Sequence, residues 1–295
     1  MRVKIIADTG MDLTDDLIKK YDVEILNMPI NDGENEYLKS ELSSDKLFED
    51  LSEGKVYRTS QVTAYDYKDC FTKHAKNNDE IIYIALSSGL SGSYQTAVNV
   101  REEVLKEYKD AKICVYDSKS VSYGLGIFVS IVGKMAKDGK SFEYIAEKLD
   151  EIRLSIEHYF AVTDLKYLVR GGRLSATSAK VGEILNIIPL LHVRKEDGGL
   201  TSYKKVRGEK SLYKNMVNEY IQNYKKLGKE QTIFLTYGDD INVAEKLKEK
   251  ILEEVDINPE NIKLTQMGAV IGTHTGPGII CIFFSTKDFG EYNIF

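Results

Sequence analysis

Residues 86–95, Leu-Ser-Ser-Gly-Leu-Ser-Gly-Ser-Tyr-Gln, place four serines and two glycines between an apolar run (81–86) and a stretch with helical spacing. That stretch carries Ala97, Val100, Val104, Leu105 and Tyr108. The pattern predicts a strand, a tight hydroxyl-rich turn and a helix start. Such a turn offers free backbone N–H groups, a positive dipole end and several hydroxyl donors, the chemistry that holds a small anion. An ordinary, well-capped strand-to-helix turn has the same composition. Two other chemistries fit less well. A nucleophile elbow needs Gly-x-Ser-x-Gly, and Gly89-Leu90-Ser91-Gly92-Ser93 puts the second glycine one place early. A phosphate loop ends in Gly-Lys-Ser/Thr, and this turn has no lysine. Binding an oxyanion suits these residues better than attacking a substrate.

Other segments carry candidate chemistry. Arg58-Thr59-Ser60-Gln61 precedes a helical stretch, so its hydroxyls either cap that helix or donate into a site. Residues 268–278 pack four glycines, a proline, two threonines and His274 into eleven positions before the last strand. That glycine density predicts left-handed or closely approached backbone, and the imidazole of His274 is either structural or a donor to an anion. Turns at 8–13 and 117–126 follow strands, and ligands gather outside the carboxyl ends of parallel strands. Gly124-x-Gly126 lacks the third glycine of a dinucleotide fingerprint, because position 129 is Val129. In 167–175, Arg170 and Arg173 flank a Gly-Gly turn, and Arg173 faces either an anion or solvent. Lys204, Lys205, Arg207 and Lys210 form a basic cluster, either a solvated face or a contact for a phosphate or a partner.

The elements that must position these groups alternate in the first half. Strands are predicted at 3–7, 81–86 and 113–116, with an extended stretch at 23–30. Helices are predicted at 13–21, 43–51, 65–75, 92–108, 122–137 and 141–156. Alternation with short turns predicts a parallel sheet covered by helices on both faces. The second half has extended runs at 159–162, 187–193, 232–237, 262–267 and 279–284, and helices at 209–224 and 241–255. Asp197-Gly198-Gly199 reads as a hairpin turn, which implies antiparallel pairing and a mixed sheet with helices mainly on one face. The expected architecture is α/β with two domains, 1–157 and 158–295, and a cleft between them.

Composition narrows the class. The 295 residues are 42% hydrophobic and 29% charged, with a net charge of −6. No Lys/Arg concentration marks a nucleic-acid footprint, and no apolar run approaches a membrane span. The apolar stretch at the N-terminus is too short for a signal peptide. Cys70, Cys114 and Cys281 are scattered and without metal-ligand spacing, so they read as reduced thiols in a cytoplasmic protein with no metal.

Taken in order, residues 8–13, 59–61, 86–94, 117–126, 167–175 and 272–278 resemble the DegV family of bacterial fatty-acid-binding proteins. The resemblance covers essentially the whole chain. It implies a three-layer α/β/α domain joined to a smaller two-layer domain, an architecture similar to part of the dihydroxyacetone-kinase superfamily. It implies a buried long-chain fatty acid whose carboxylate is held by Thr59 and Ser91. Ser60, Ser88, Gly92, Arg173 and His274 are expected to support that site. It also implies a partner, the ATP-binding subunit of a fatty-acid kinase, with Arg207 contacting partner or phosphoryl group. No cofactor other than the bound lipid is expected, and contact with membranes is expected to be transient. The sequence departs from the family at Val62-Thr63, where a proline is usual, and at 186–190, which lacks the common lysine before Pro189. Two other classes remain open at this point. One is a lipid-ester hydrolase with Ser91 as nucleophile and His274 as base; the other is a small phosphate-binding regulatory module.

Overall fold

The computed structural model describes residues 2–175, 187–224 and 231–292. The first half runs β1 (Val3–Asp8), α1 (Asp15–Lys20), β2 (Glu24–Leu26), β3 (Ile30–Asn31), β4 (Glu36–Tyr37), α2 (Ser44–Ser52), β5 (Arg58–Thr59), α3 (Ala64–Lys76), β6 (Glu80–Ala85), α4 (Ser93–Glu107), β7 (Ile113–Asp117), α5 (Ser122–Lys137) and α6 (Phe142–Ser155). β2-β1-β6-β7 form an all-parallel sheet. Every residue of β6 is buried, as expected for a strand covered on both faces. α3 and α4 pack side by side on one face, and α5 and α6 on the other.

The second half runs β8 (Ile156–Ala161), α7 (Lys166–Arg170), β9 (Ile187–Val193), β10 (Leu200–Arg207), α8 (Glu209–Tyr224), β11 (Ile233–Tyr237), α9 (Ile241–Glu254), β12 (Ile262–Gln266), α10 (Ala269–Thr275) and β13 (Ile280–Ser285). Its sheet has the order β10-β9-β8-β13-β11-β12, and only β11 and β12 pair in parallel. The expected mixed sheet is present, and with six strands it is wider than the parallel one. Its two faces follow the strand period of two. Ile280, Ile282 and Phe284 join a core with α8 and α9, whereas Cys281 and Phe283 join the core shared with the first half.

α5 lies between the two sheets. Thirteen of its sixteen residues are buried, and it packs on β1 as well as on β8 and β13. A helix apolar on all sides is one enclosed on all sides. Gly124 provides clearance for this packing: a Cβ there would stand 2.1 Å from the His158 ring.

Two buried carboxylates tie the strand ends together. Asp8 accepts hydrogen bonds from the Gly10 N–H (3.0 Å), the Leu86 N–H (3.0 Å) and the Tyr83 hydroxyl (2.7 Å). Asp12 accepts from the Ser122 hydroxyl (2.7 Å) and the Gly268 N–H (3.2 Å). Ser122 begins α5 with φ 54, a left-handed conformation held in place by these contacts.

One stretch differs from expectation, and two glycine-bearing segments follow it while adding helix. The stretch 23–30 divides between β2 of the parallel sheet and β3 of a separate three-stranded sheet, β4-β3-β5. In the 167–175 segment the expected Gly-Gly turn is present at Gly171 and Gly172, directly after helix α7. Most of the glycine-rich 268–278 segment is helix α10, with left-handed backbone confined to Gly276 (φ 77). Its internal Gly272 instead lets α2 approach, since a Cβ there would stand 2.9 Å from Phe48 Cζ.

The β9–β10 hairpin folds back over the serine-rich turn. The Ser87 hydroxyl donates to the Gly198 carbonyl at 2.8 Å, and Lys119 Nζ donates to the Asp197 carbonyl at 3.3 Å. A Cβ on Gly89 would lie 2.5 Å from the Gly198 carbonyl carbon, so only glycine permits this docking. Gly89→Ala should therefore loosen the hairpin by about 1–3 kcal/mol. Hydrogen exchange should accelerate at 194–200 while β1 and β6 keep their protection. Unchanged exchange at the hairpin would contradict the clamp.

Candidate functional site

Between the parallel and the mixed sheet lies an apolar cavity. Phe160, Cys281 and Phe283 form the wall on the mixed-sheet side, and Val193 and Leu200 of the hairpin close it over. Val270 and Ile271 of α10 and Met28, Leu86 and Leu90 of the first half complete an apolar lining. Thr59, Ser91, Arg173 and His274 also line it. Thr59, Arg173 and His274 are shared with an adjoining pocket whose walls include Arg58 and Arg170. The apolar space thus opens toward three guanidinium groups through a polar neck.

Each neck residue is placed by a different element. Thr59 sits on β5, held by pairing with Ile30 of β3. Its hydroxyl lies 2.7 Å from His274 Nε2. His274 projects from the last turn of α10, and its Nδ1 is buried with no hydrogen-bond partner among the described residues. Burial, helped by the nearby Arg173 and Arg170, holds the His274 pKa down to about 3. The ring is therefore neutral at physiological pH.

Ser91 lies in the turn before α4 and is buried; its hydroxyl donates to the Ser93 hydroxyl at 3.0 Å and accepts from the Ser93 N–H at 3.2 Å. Arg173 donates from Nε to the Leu90 carbonyl at 2.9 Å and from Nη1 to the Gly171 carbonyl, so it bridges the turn after α7 to the serine turn. Burial lowers its guanidinium pKa.

This arrangement can hold an anion at the neck and an apolar tail behind it. The Ser–His pair of a hydrolase is not formed: His274 Nε2 faces Thr59, and the Ser91 hydroxyl faces Ser93. A histidine with its pKa near 3 is also a weak base for activating serine.

The remaining expected residues lie elsewhere. Ser60 is exposed, with its N–H on the Pro29 carbonyl. Ser88 is exposed, and its hydroxyl accepts from Lys119 Nζ at 2.7 Å. Gly92 is exposed at the start of α4, where a Cβ would meet the Gln61 side chain at 2.2 Å. Arg207 is exposed at the end of β10 and lines neither cavity. Two residues of the site were not singled out from sequence. Arg58 adjoins Thr59 and Arg170 adjoins the Gly-Gly turn, so proximity to named motifs was the available signal. His158 is a third: it lines the main cavity, and its Nε2 accepts from the Val121 N–H at 3.3 Å.

Fold and site together define an α/β protein with a parallel and a mixed sheet around an apolar cavity behind a polar neck. The chain belongs to the DegV family: residues 2–287 match the family model described as "Uncharacterised protein, DegV family". A DegV domain-containing protein of Clostridium perfringens is 35% identical over 95% of this chain and 96% of its own length. One of Lactococcus lactis is 32% identical over 96% and 97%. Among solved structures, a fatty-acid-binding DegV family protein of Streptococcus agalactiae superposes with a TM-score of 0.86 at 26% identity, covering 98% of this chain and all of that one. A stearic-acid-binding protein of Eubacterium ventriosum superposes at 0.82 with 25% identity, covering 97% and 99%.

The buried histidines set a pH dependence. Burial, with Lys195 and His192 nearby, also holds His158 down to about 3, below its ordinary 6.5. A group depressed in this way contributes stability above pH 6.5 that is lost as pH falls toward 3. Between pH 7.5 and 4.5 the loss should be about 3 kcal/mol for each of His158 and His274. Urea unfolding at the two pH values should show it, and His158→Gln should remove its own share. An undiminished loss in that variant would place the pH sensitivity elsewhere.

Proposed function

We propose that this chain binds a long-chain fatty acid, with its tail in the apolar cavity and its carboxylate at Thr59 and Ser91. The observation that carries the reading is the cavity itself, apolar along its walls and headed by hydroxyls, a neutral histidine and Arg173. A buried carboxylate is costly unless hydrogen-bonded, and this neck supplies charge-assisted partners. Each methylene of the tail contributes roughly 0.8 kcal/mol, so tight binding needs no further polar contact. The names of the Streptococcus agalactiae and Eubacterium ventriosum neighbours point to the same ligand class.

On this reading the chain is a carrier, and it presents the carboxylate to an ATP-binding kinase subunit that forms the acyl phosphate. Arg58, Arg170 and Arg173 at the opening favour the accumulating negative charge. Arg207, with exposed Lys204 and Lys205 beside it on β10, offers a contact for that partner. Thr59, Ser91, Arg173 and His274 then form the acyl site, and residues 1–157 and 158–295 form its two sides.

Mass spectrometry of the protein purified from bacteria should find a long-chain fatty acid. No such lipid, together with no uptake of added palmitate or oleate, would remove the reading. Thr59→Ala and Ser91→Ala should each weaken fatty-acid binding by about 1–3 kcal/mol in a displacement titration. Unchanged affinity in both would move the carboxylate elsewhere. Loss of ester turnover in Ser91→Ala with lipid uptake intact would favour a hydrolase instead.

A further inference from the structure

Away from the cavity, Glu24 of β2 meets Cys70 and His74 of α3. One ligand atom from each lies within 4.8 Å of the others. Cys70 and His74 are buried and sit one helical turn apart on the same face. His74 Nε2 lies 2.8 Å from one Glu24 oxygen, and Cys70 Sγ lies 3.6 Å from the other. The second ring nitrogen, Nδ1, is 2.8 Å from Asp79 Oδ2. A carboxylate on the far nitrogen is the arrangement that orients a metal-bound imidazole and fixes its tautomer. None of these residues lines the cavity or takes part in the reading above.

We propose that Glu24, Cys70 and His74 form a zinc-class divalent metal site, with Asp79 as the positioning residue and a solvent water as fourth ligand. A sulfur, a nitrogen and a carboxylate oxygen are the donor set zinc takes in tetrahedral sites. Calcium and magnesium demand oxygen ligands throughout, and a thiol and an imidazole exclude them. Bond lengths of about 2.0–2.3 Å put tetrahedral ligands roughly 3.3–3.7 Å apart. Cys70 Sγ stands 3.6 Å from Glu24 Oε1 and His74 Nε2 2.8 Å from Oε2, so the carboxylate turns to present one oxygen to both when the His74 hydrogen bond yields to the metal.

The charges balance. On binding, the Cys70 thiol releases its proton to solvent, and thiolate and Glu24 together neutralise the dication. Two ammonium groups now neighbour Glu24: Lys73 Nζ at 3.0 Å and Lys4 Nζ at 3.9 Å. Lys73 is 55% exposed and can turn into water. Lys4 keeps Asp22 at 3.2 Å and the Asp22 carbonyl at 3.0 Å. A bound ion would staple β2, the edge of the parallel sheet, to α3. Spacing along the sequence does not reveal the site, because Glu24 comes from a strand 46 residues before Cys70.

The test uses the full chain, stripped with a chelator and titrated with cobalt(II), whose thiolate charge-transfer band reports a Co–S bond. One equivalent should produce the band, and zinc should abolish it by displacement. Cys70→Ser should lose it, and Cys114→Ser should keep it. Asp79→Asn should weaken zinc binding 10–100-fold against a chromophoric chelator. His74→Gln gives a second route should Cys70→Ser fail to fold, and fatty-acid uptake serves as the folding control for every variant. Absence of the band at one equivalent, or a band that survives in either ligand variant, would overturn the site.

Discussion

The burial of Asp8 and Asp12 is the constraint on which the rest of this molecule turns. Burial pushes both carboxyls above their ordinary pKa. Such groups are tolerated only where donors are fixed around them. Those donors are the N–H of Leu86 at the head of the serine turn, the hydroxyl of Ser122 at the start of α5, and the N–H of Gly268 at the start of α10. One five-residue stretch after β1 therefore sets where Ser91, α5 and His274 stand relative to one another. The neck is assembled from distant parts of the chain, and these two side chains are what bring those parts into register.

The two halves contribute to the cavity in different ways. The parallel sheet supplies loops at its strand ends, as open α/β sheets do. The mixed sheet supplies a flat wall. Alternation along β8 and β13 sends Phe160, Cys281 and Phe283 to the cavity, and Ala161, Ile280, Ile282 and Phe284 to the core beneath α8 and α9. With α5 packed between the sheets, neither half encloses the cavity alone. The hydroxyl-rich turns stand at the head of the cavity, and the sheet face walls the space behind them.

Much of this was legible in the sequence. Long apolar runs and helical spacing located the parallel strands, and Asp197-Gly198-Gly199 located the hairpin. Thr59, Ser91, Arg173 and His274 all line the cavity. The small β4-β3-β5 sheet was not legible, because two-residue strands have no periodicity to detect. α10 was hidden by glycine, whose poor helix propensity is outweighed here by close packing of Gly272 on Phe48. The direction of each serine was hidden too. Ser87 turns inward to the hairpin and Ser88 outward to Lys119, a difference that follows from turn geometry rather than residue type.

The latch between Ser87 and Gly198 has a kinetic consequence. Val193 and Leu200 cover one side of the cavity, and lifting the hairpin from the serine turn would uncover it. Lifting of that hairpin, a local unfolding event, is then a second route into the cavity beside the polar neck. A contact that shifts residues 194–200 would act on that route without touching anything inside the cavity.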